Sequence, residues 1–372
     1  MQPSRATLEY VASIPNLRLA HINARQNKTK YRTVREFEQD ADANLQTLHD
    51  DLMNGTYRTS RYLHMDIEDR GKTRRISKLP YFPDRIVHWA IMQQIECDFR
   101  RKFASCSHAA IAGKGIHSAL YQTRHALLTD ADGTKYCLKI DVSKYFPHIR
   151  HDILKEQVGK FVTEEGLRRL VFEIIDSADG DVGVPIGNYL SQFFANLYLS
   201  DFDSWVKSTL RVKHYVRYMD DMLFFGASPE ELRRVFRDVE WYLRRNLYLE
   251  VKPNWQVFPV SVRGVDFVGY RVRSNCVILR KRTWLNLQRK CRHLRRVAMT
   301  FGELTLSERS SLGAYMGWVI HCTPRVRQRI FETQFKPILQ RCGLPIPKRL
   351  KRYYYHDSET KHQLRSPRTR GC

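Results

Sequence analysis

An α+β fold is predicted for this chain on three observations. Between residues 136 and 270, short apolar runs of strand character alternate with helical periods at 150–161, 190–210 and 229–246. Residues 58–77 alternate in strand fashion around Asp69-Arg70-Gly71-Lys72, a hairpin signal. From Lys281 the pattern turns helical again. Strand–helix–strand alternation with the helices on one face describes a sheet layer covered by helices. A length of 372 residues buries a large core and divides into two or three compact units.

In order along the chain, residues 1–32 are polar and weakly patterned. Residues 33–53 read as one amphipathic helix, with Phe37, Ala41, Leu45, Leu48 and Leu52 near a 3.6-residue period and Asn54-Gly55 as its stop. After the hairpin, residues 84–97 carry Ile86, Ala90, Ile91 and Ile95 on a helical face. Gly113-Lys114-Gly115 is too short for a nucleotide loop and reads as a turn that contacts nucleic acid. In the last helical region Leu285, Leu287, Leu294 and Val297 form an apolar side, while Arg289, Lys290, Arg292, Arg295 and Arg296 crowd the other. Five cations in eight residues repel one another without an anion nearby, which favours nucleic-acid phosphates over plain solvent. Pro345-Ile346-Pro347 marks a boundary, and residues 348–372 form a basic tail with Tyr353-Tyr354-Tyr355 and few aliphatics, expected to order only on meeting RNA or protein.

The 63 Lys and Arg against 39 Asp and Glu leave a formal charge of +24, which calls for a polyanionic partner. With 42% hydrophobic and 12% aromatic residues the chain is not a disordered basic protein. Its eight cysteines contain no Cys-x-x-Cys pair, and its 14 histidines show no ligand spacing, so a zinc module is not expected. The first residues lack an apolar signal core, and no run approaches the roughly 18 apolar residues of a membrane helix. A reducing cytoplasm without membrane contact is the expected setting. No room is expected after residue 340 for an endonuclease or ribonuclease H domain.

The candidate chemistry lies in Tyr218-Met219-Asp220-Asp221, flanked by apolar His214-Tyr215-Val216-Arg217 and Met222-Leu223-Phe224-Phe225-Gly226. Adjacent Asp residues suit a solvated turn. At the tip of a buried hairpin, however, two acids repel and lose hydration, which is costly unless cations sit between them. A second segment, Tyr136 to Pro147, reads as a buried strand delivering Asp141 at its end. Asp141, Asp220 and Asp221 can then converge, with Asp221 the more structural of the three and the Val142 carbonyl a further oxygen. Magnesium, with oxygen ligands and a preference for carboxylates plus substrate phosphates, fits such a set as a pair of ions, with manganese as a substitute.

These segments resemble reverse transcriptases: Asp141 lies in a motif A, Gly183 to Leu199 matches motif B, and Tyr218-Met219-Asp220-Asp221 is similar to the Tyr-x-Asp-Asp motif C, in the order A, B, C. Most of the family reads Gln-Gly-x-x-x-Ser-Pro in motif B. This chain has Ile186-Gly187 and Ser191-Gln192, a variant that resembles diversity-generating retroelement enzymes, as do 255–260 and 264–270. The resemblance covers about residues 60–335 and implies a right-hand polymerase. Its expected parts are a helical extension (1–57), fingers (58–135), palm with fingers insertions (136–275), thumb (276–344) and tail (345–372).

The resemblance also implies roles. Lys72 and Arg74, with Arg75 as a competitor, would grip the incoming triphosphate. Phe146, five residues after Asp141, would pack on deoxyribose and reject a 2′-hydroxyl. Gly187 and Ser191 would let motif B approach the nucleotide and template base closely. Ile186 replaces a Gln that bonds at the nucleotide site, and Gln192 stands at the variant end of the motif. Phe267, Val268, Gly269 and Tyr270 would form the primer grip. Lys252 falls near the motif D lysine that protonates pyrophosphate, though Val251-Lys252-Pro253-Asn254 matches that motif poorly.

The implied function is RNA-directed DNA synthesis, with error-prone copying of a template-repeat RNA. Its implied partners are dNTPs, a structured RNA, an RNA–DNA duplex and an oligomeric basic accessory protein. An antiphage-defence reverse transcriptase, priming from a protein hydroxyl such as one in Tyr353-Tyr354-Tyr355, is the alternative. A group II intron enzyme is disfavoured by the absence of a following endonuclease module, and a retron enzyme by the absence of a Val-Thr-Gly thumb signature. An RNA-binding scaffold on an inactive polymerase fold is the non-enzymatic alternative.

Overall fold

The structure is a computed structural model that describes residues 4–69 and 71–347. At its centre is an antiparallel sheet of β3 (Tyr136–Asp141), β4 (Tyr215–Tyr218), β5 (Asp221–Gly226) and β6 (Gln256–Pro259), in the order β4-β5-β3-β6. Before it in sequence, β1 (Leu63–Asp69) and β2 (Lys72–Lys78) form a separate hairpin. After it, β7 (Val265–Phe267), β8 (Tyr270–Val272) and β9 (Val277–Leu279) form a small three-stranded sheet.

The central strands are mostly apolar because the sheet is buried on both faces, with Lys139 and Arg217 as the charged exceptions inside β3 and β4. Leu138, Ile140, Tyr215, Met222 and Phe224 point into one core, with the helices Tyr189–Tyr198 and Pro229–Leu247. Cys137, Val216, Leu223, Phe225 and Phe258 point into another, shared with the β7–β9 sheet and the C-terminal helices. The strand period of two thus sorts alternate residues between two cores.

Several helices depart from the sequence pattern. The expected 33–53 helix breaks at Asp40 (φ −129°, ψ 41°) into Arg32–Gln39 and Ala41–Met53. The 190–210 segment divides at Leu199 into Tyr189–Tyr198 and Ser200–Ser208. The weakly patterned N-terminal stretch contains Leu8–Ala12 and Ile14–Ala24, whose Val11, Ala12, Leu17, Ala20 and Ala24 are buried. Those contacts rest largely on alanine, which a hydrophobic period registers poorly. Glu165–Asp176, with Leu167, Val171, Ile174 and Ile175 inside, is a further helix.

In the long helix Lys281–Phe301 the inward side is Leu287, Cys291, Leu294 and Ala298. Leu285, expected there, is 38% exposed, and Val297 lies at the edge of that core. Small Cys291 and Ala298 set the helix phase. A reciprocal cap of Thr305 and Glu308 then starts the next helix, Leu306–Val319, followed by Pro324–Ile330 and Lys336–Arg341. No described helix is long and apolar enough to cross a membrane. The seven described cysteines are free thiols.

Candidate active site

Strand pairing brings the three acids to one end of the central sheet. The last β4–β5 pair is Tyr218 with Asp221, so Met219 and Asp220 form the two-residue turn, Met219 at φ +53°. Asp141, the last residue of β3, lies directly opposite Asp221. The Val142 N–H donates to the Asp220 carbonyl at 3.3 Å, tying the strand end to the turn.

Two lysines attend these acids. Lys252 donates its N–H to the Asp141 carbonyl at 2.8 Å and pairs its ammonium with Asp141 Oδ1. Lys139 Nζ donates to Asp221 Oδ2 at 3.2 Å and to the Asp266 carbonyl at 2.7 Å. Burial, and then the negative charge of Asp141, push Asp220 up to about 7. Burial also pushes Asp221 up to about 6, against the pull of Lys139. Asp221 Oδ1 is inaccessible and has no hydrogen-bond partner among the described residues. Crowded carboxylates with uncompensated charge and an orphaned oxygen fit divalent magnesium, which takes oxygen ligands. Among the described residues no three His, Cys, Asp or Glu groups are close enough together to hold one ion. The fit therefore rests on the Asp141–Asp220 contact and the unsatisfied oxygen of Asp221.

Beneath the turn lies a buried ion pair. Arg217 and Asp203 have side-chain exposures of 0% and 0%, with Nε to Oδ1 at 2.7 Å and Nη2 to Oδ2 at 2.5 Å. Arg217 Nη1 donates to Asn196 Oδ1 and to the Met219 carbonyl, both at 3.2 Å, and the Tyr215 hydroxyl donates to Asp203 Oδ1 at 2.8 Å. The guanidinium thus grips Asp203 with two nitrogens and holds the turn that carries Asp220 with the third. Sequence reasoning missed this pair. Its signal was an arginine inside an apolar strand, which requires a buried acid.

Motif B packs on the β1–β2 hairpin. The Ser77 N–H donates to the Ile186 carbonyl at 2.8 Å. Gly187, at φ +110°, has no Cβ, which would lie 2.9 Å from Ile76 Cγ2 and 3.0 Å from the Ser77 carbonyl. The close approach expected of Gly187 is therefore made to β2. Ser191 is buried at 2% exposure, whereas Gln192 is exposed and Ile186 half-buried. Phe146 is half-buried, edge-on to Tyr145, and its carbonyl accepts from the Val184 N–H at 3.0 Å, which joins motifs A and B. Lys72 and Arg74 have backbones in β2, and their side chains lie outside the described residues. Lys114, read as a nucleic-acid contact, instead turns its ammonium onto the Ala104, Ser105 and Ser107 carbonyls.

At the proposed primer grip, Phe267 and Tyr270 are buried, and the Tyr270 hydroxyl donates to the Trp318 carbonyl at 3.0 Å. Val268 (φ +41°) and Gly269 (φ +89°) form the turn, and a Cβ on Gly269 would meet the Trp318 ring. The turn, not the two aromatic side chains, is the accessible part of this segment. A cleft of about 660 Å³ runs from Tyr218 and Asp221 past Val268 and Gly269 to Arg282 and Asn286. Along the same long helix Arg289, Arg292 and Arg296 are exposed on the side away from the core, while Lys290 and Arg295 are half-buried, Arg295 donating to the Thr333 carbonyl at 2.8 Å. Tyr353-Tyr354-Tyr355 lie outside the described residues.

The sheet, the acid hairpin and the helical elements around the cleft define a right-hand polymerase fold. Apo telomerase from Candida tropicalis is similar in fold, with a TM-score of 0.50 at 13% identity, covering 80% of this chain and 61% of that one. Residues 67–272 match the family described as reverse transcriptase (RNA-dependent DNA polymerase), and the chain belongs to that family. Curated relatives include protein YkfC of Escherichia coli strain K12, 25% identical over 58% of this chain and 54% of that protein. Another is the group II intron-encoded protein LtrA of Lactococcus lactis subsp. cremoris, 23% identical over 52% of this chain and 31% of that protein. The chain thus spans about half the length of the first of these relatives and about a third of the second.

Proposed function

We propose that this protein is an RNA-directed DNA polymerase that extends a primer 3′-hydroxyl along an RNA template. The observation that carries the reading is the meeting of Asp141 with Asp220-Asp221 at one sheet end, beside a cleft that leads to the basic long helix. Asp141 and Asp220, with Asp221 and the Val142 carbonyl behind them, are the residues that would hold two magnesium ions. Bound there, these ions would activate the primer hydroxyl and stabilise the leaving pyrophosphate.

The remaining roles belong to the chain's own groups. Phe146 would close the sugar pocket against a 2′-hydroxyl. Lys72 and Arg74 would carry the triphosphate, and the Val268-Gly269 turn would set the primer end. Lys252, whose ammonium pairs with Asp141, would release a proton toward pyrophosphate. Arg289, Arg292 and Arg296 would follow the RNA–DNA duplex phosphates. On this reading residues 58–135 are fingers, 136–275 palm and 276–344 thumb.

Within the family we assign the chain to mutagenic diversification of a template repeat, working with a structured RNA and an oligomeric basic accessory protein. Ile186-Gly187 with Ser191-Gln192 supports this reading, because Ile186 offers no polar contact where most of the family has Gln. Sequencing the RNA and complementary DNA that co-purify from the native host, with Asp220→Asn in parallel, tests both levels. Asp220-dependent DNA matching a nearby repeat, with errors concentrated at template adenines, is expected. Faithful, repetitive or protein-linked DNA would replace diversification with a defence role, and RNA without Asp220-dependent DNA would leave a binding scaffold.

A further inference from the structure

On the side of the Lys281–Phe301 helix turned away from the acid cleft lies a second groove of about 650 Å³, to which neither the sequence motifs nor the polymerase reading assigns a role. Arg271 of β8, Lys281 at the helix start and Arg329 of the Pro324–Ile330 helix line it, together with Trp284, Gln288 and Gln334. None of the three cations has an ion-pair partner among the described residues, and no described carboxylate lines the groove. We propose that this groove binds single-stranded RNA, the part of the template outside the primer duplex; the assignment to template rests on the polymerase reading.

The chemistry selects the occupant. Three unpaired cations around one concavity repel unless an anion lies among them, and a phosphate backbone brings one charge per nucleotide. Trp284 supplies a ring on which an unpaired base can stack, and such stacking is tolerant of sequence. Gln288 and Gln334 add amides that donate and accept at base edges. Duplex RNA would offer its phosphates but no free base faces, so an unpaired strand matches more of the lining. The groove is also continuous with the arginine ridge. Lys281, Gln288 and Arg292 are spaced by seven and four residues, which places them along one side of the helix, and Arg292 belongs with Arg289, Arg295 and Arg296 to the neighbouring basic surface. A strand leaving the duplex at that ridge would reach the groove without crossing an acidic surface in either lining.

The test compares the full chain with its Arg271→Glu/Arg329→Glu variant on two primer–template hybrids. One template ends a few nucleotides past the primer duplex, and the other carries about 20 further unstructured nucleotides of RNA. Fluorescence anisotropy across a salt series gives affinity, and primer extension gives the rate. The wild type is expected to bind the long template more tightly, and the variant to lose about tenfold or more of that affinity. The slope of log affinity against log salt should fall by about 1.4 for two lost phosphate contacts to a single strand. Extension of the saturating short hybrid should be unchanged. Equal affinity and equal slope for the two proteins on the long template would overturn the proposal, and so would a variant altered only in self-association or in protein binding. If neither protein extends a primer but the affinity difference persists, the polymerase reading fails and the RNA site stands.

Discussion

Removing the Asp203 carboxylate while keeping Arg217 would strand a guanidinium where both side chains are fully inaccessible. Two charge-assisted bonds, at 2.7 and 2.5 Å, would be lost, and the Tyr215 hydroxyl would lose its acceptor. Leaving one member of a buried pair uncompensated costs about 3–5 kcal/mol, so Asp203→Ala is expected to lower unfolding free energy by about that much. Replacing both members by neutral groups is close to neutral in many proteins. Arg217→Met with Asp203→Asn should therefore recover most of the stability, because Asn keeps an oxygen for Tyr215. Activity should not recover with it, since the Met219 carbonyl still lacks the donor that held the turn at 3.2 Å. A loss of about tenfold in the chemical step, or about 1.4 kcal/mol, is expected, with little change in nucleotide KM. Urea unfolding followed by tryptophan fluorescence reads the first quantity, and single-turnover extension reads the second. A double variant with full turnover, or an Asp203→Ala cost below about 1 kcal/mol, would refute the claim that this pair positions the acids.

Other consequences are equally direct. Asp220 and Asp221, raised to about 7 and about 6 from 3.8, bind protons in the folded metal-free chain that the unfolded chain has released. Their contribution to stability is full below about pH 4 and is lost as pH rises through 6 and 7. Thermal unfolding should accordingly show a larger magnesium-induced rise at pH 8 than at pH 5.5, and equal rises would place the ions elsewhere. Phe146→Ala should cut discrimination against ribonucleotides by tenfold or more in kcat/KM ratios, and unchanged discrimination would exclude it as the sugar gate. Gly187→Ala, at φ +110° and within 3.0 Å of Ile76 and Ser77, should cost about 1–3 kcal/mol and raise nucleotide KM; an unaffected KM would separate the β2 contact from nucleotide binding.

The acids and their strands were legible because two mostly apolar strands with paired carboxylates in the turn between them have few physical explanations. The hairpin at 69–72 and the helix at 229–246 were legible for similar local reasons: a Gly turn in the first, and in the second a Ser228 cap with an apolar face of Leu232, Phe236, Val239 and Leu243. What stayed hidden depends on contacts between distant segments. The N-terminal helices were missed because much of what they bury is alanine and because Asn16 and Asn23, not a hydrophobic stripe, bond to the helix Ile86–Lys102. The breaks at Asp40 and Leu199 are set by packing that interrupts an otherwise good helical period. Gly187 and Gly269 were read as points of close approach, but what their missing side chains make room for in the fold, the β2 hairpin and the Trp318 ring, lies far away in sequence. Lys139 looked like one more cation in a basic chain until the fold set it between Asp221 and Asp266.

The placement of the lysines ranks the carboxylates as prospective ligands. Asp221 has one oxygen on Lys139, which offsets only part of the cost of burying its charge and leaves its other oxygen without a partner among the described residues. Asp141 has Lys252 on one oxygen. Asp220 has no ion-pair partner among the described residues, and the proximity of Asp141 makes its charge more costly still. A cation bound here would therefore gain most at the Asp141–Asp220 edge, with Asp221 offering its unpaired oxygen and serving also as a link. That link extends further: Lys139 also holds the Asp266 carbonyl, the Asp266 carboxylate pairs with Arg280, and the Arg280 N–H donates to the Gly269 carbonyl at 3.0 Å. Arg280 immediately precedes the basic helix Lys281–Phe301. One hydrogen-bonded chain thus runs from the acid hairpin through the Val268-Gly269 turn to the base of the helix proposed to hold the duplex. Lys139→Met should uncouple these elements, with primer KM rising while magnesium dependence changes less than in Asp220→Asn. An effect confined to magnesium dependence would instead make Lys139 a local counter-ion for Asp221 and nothing more.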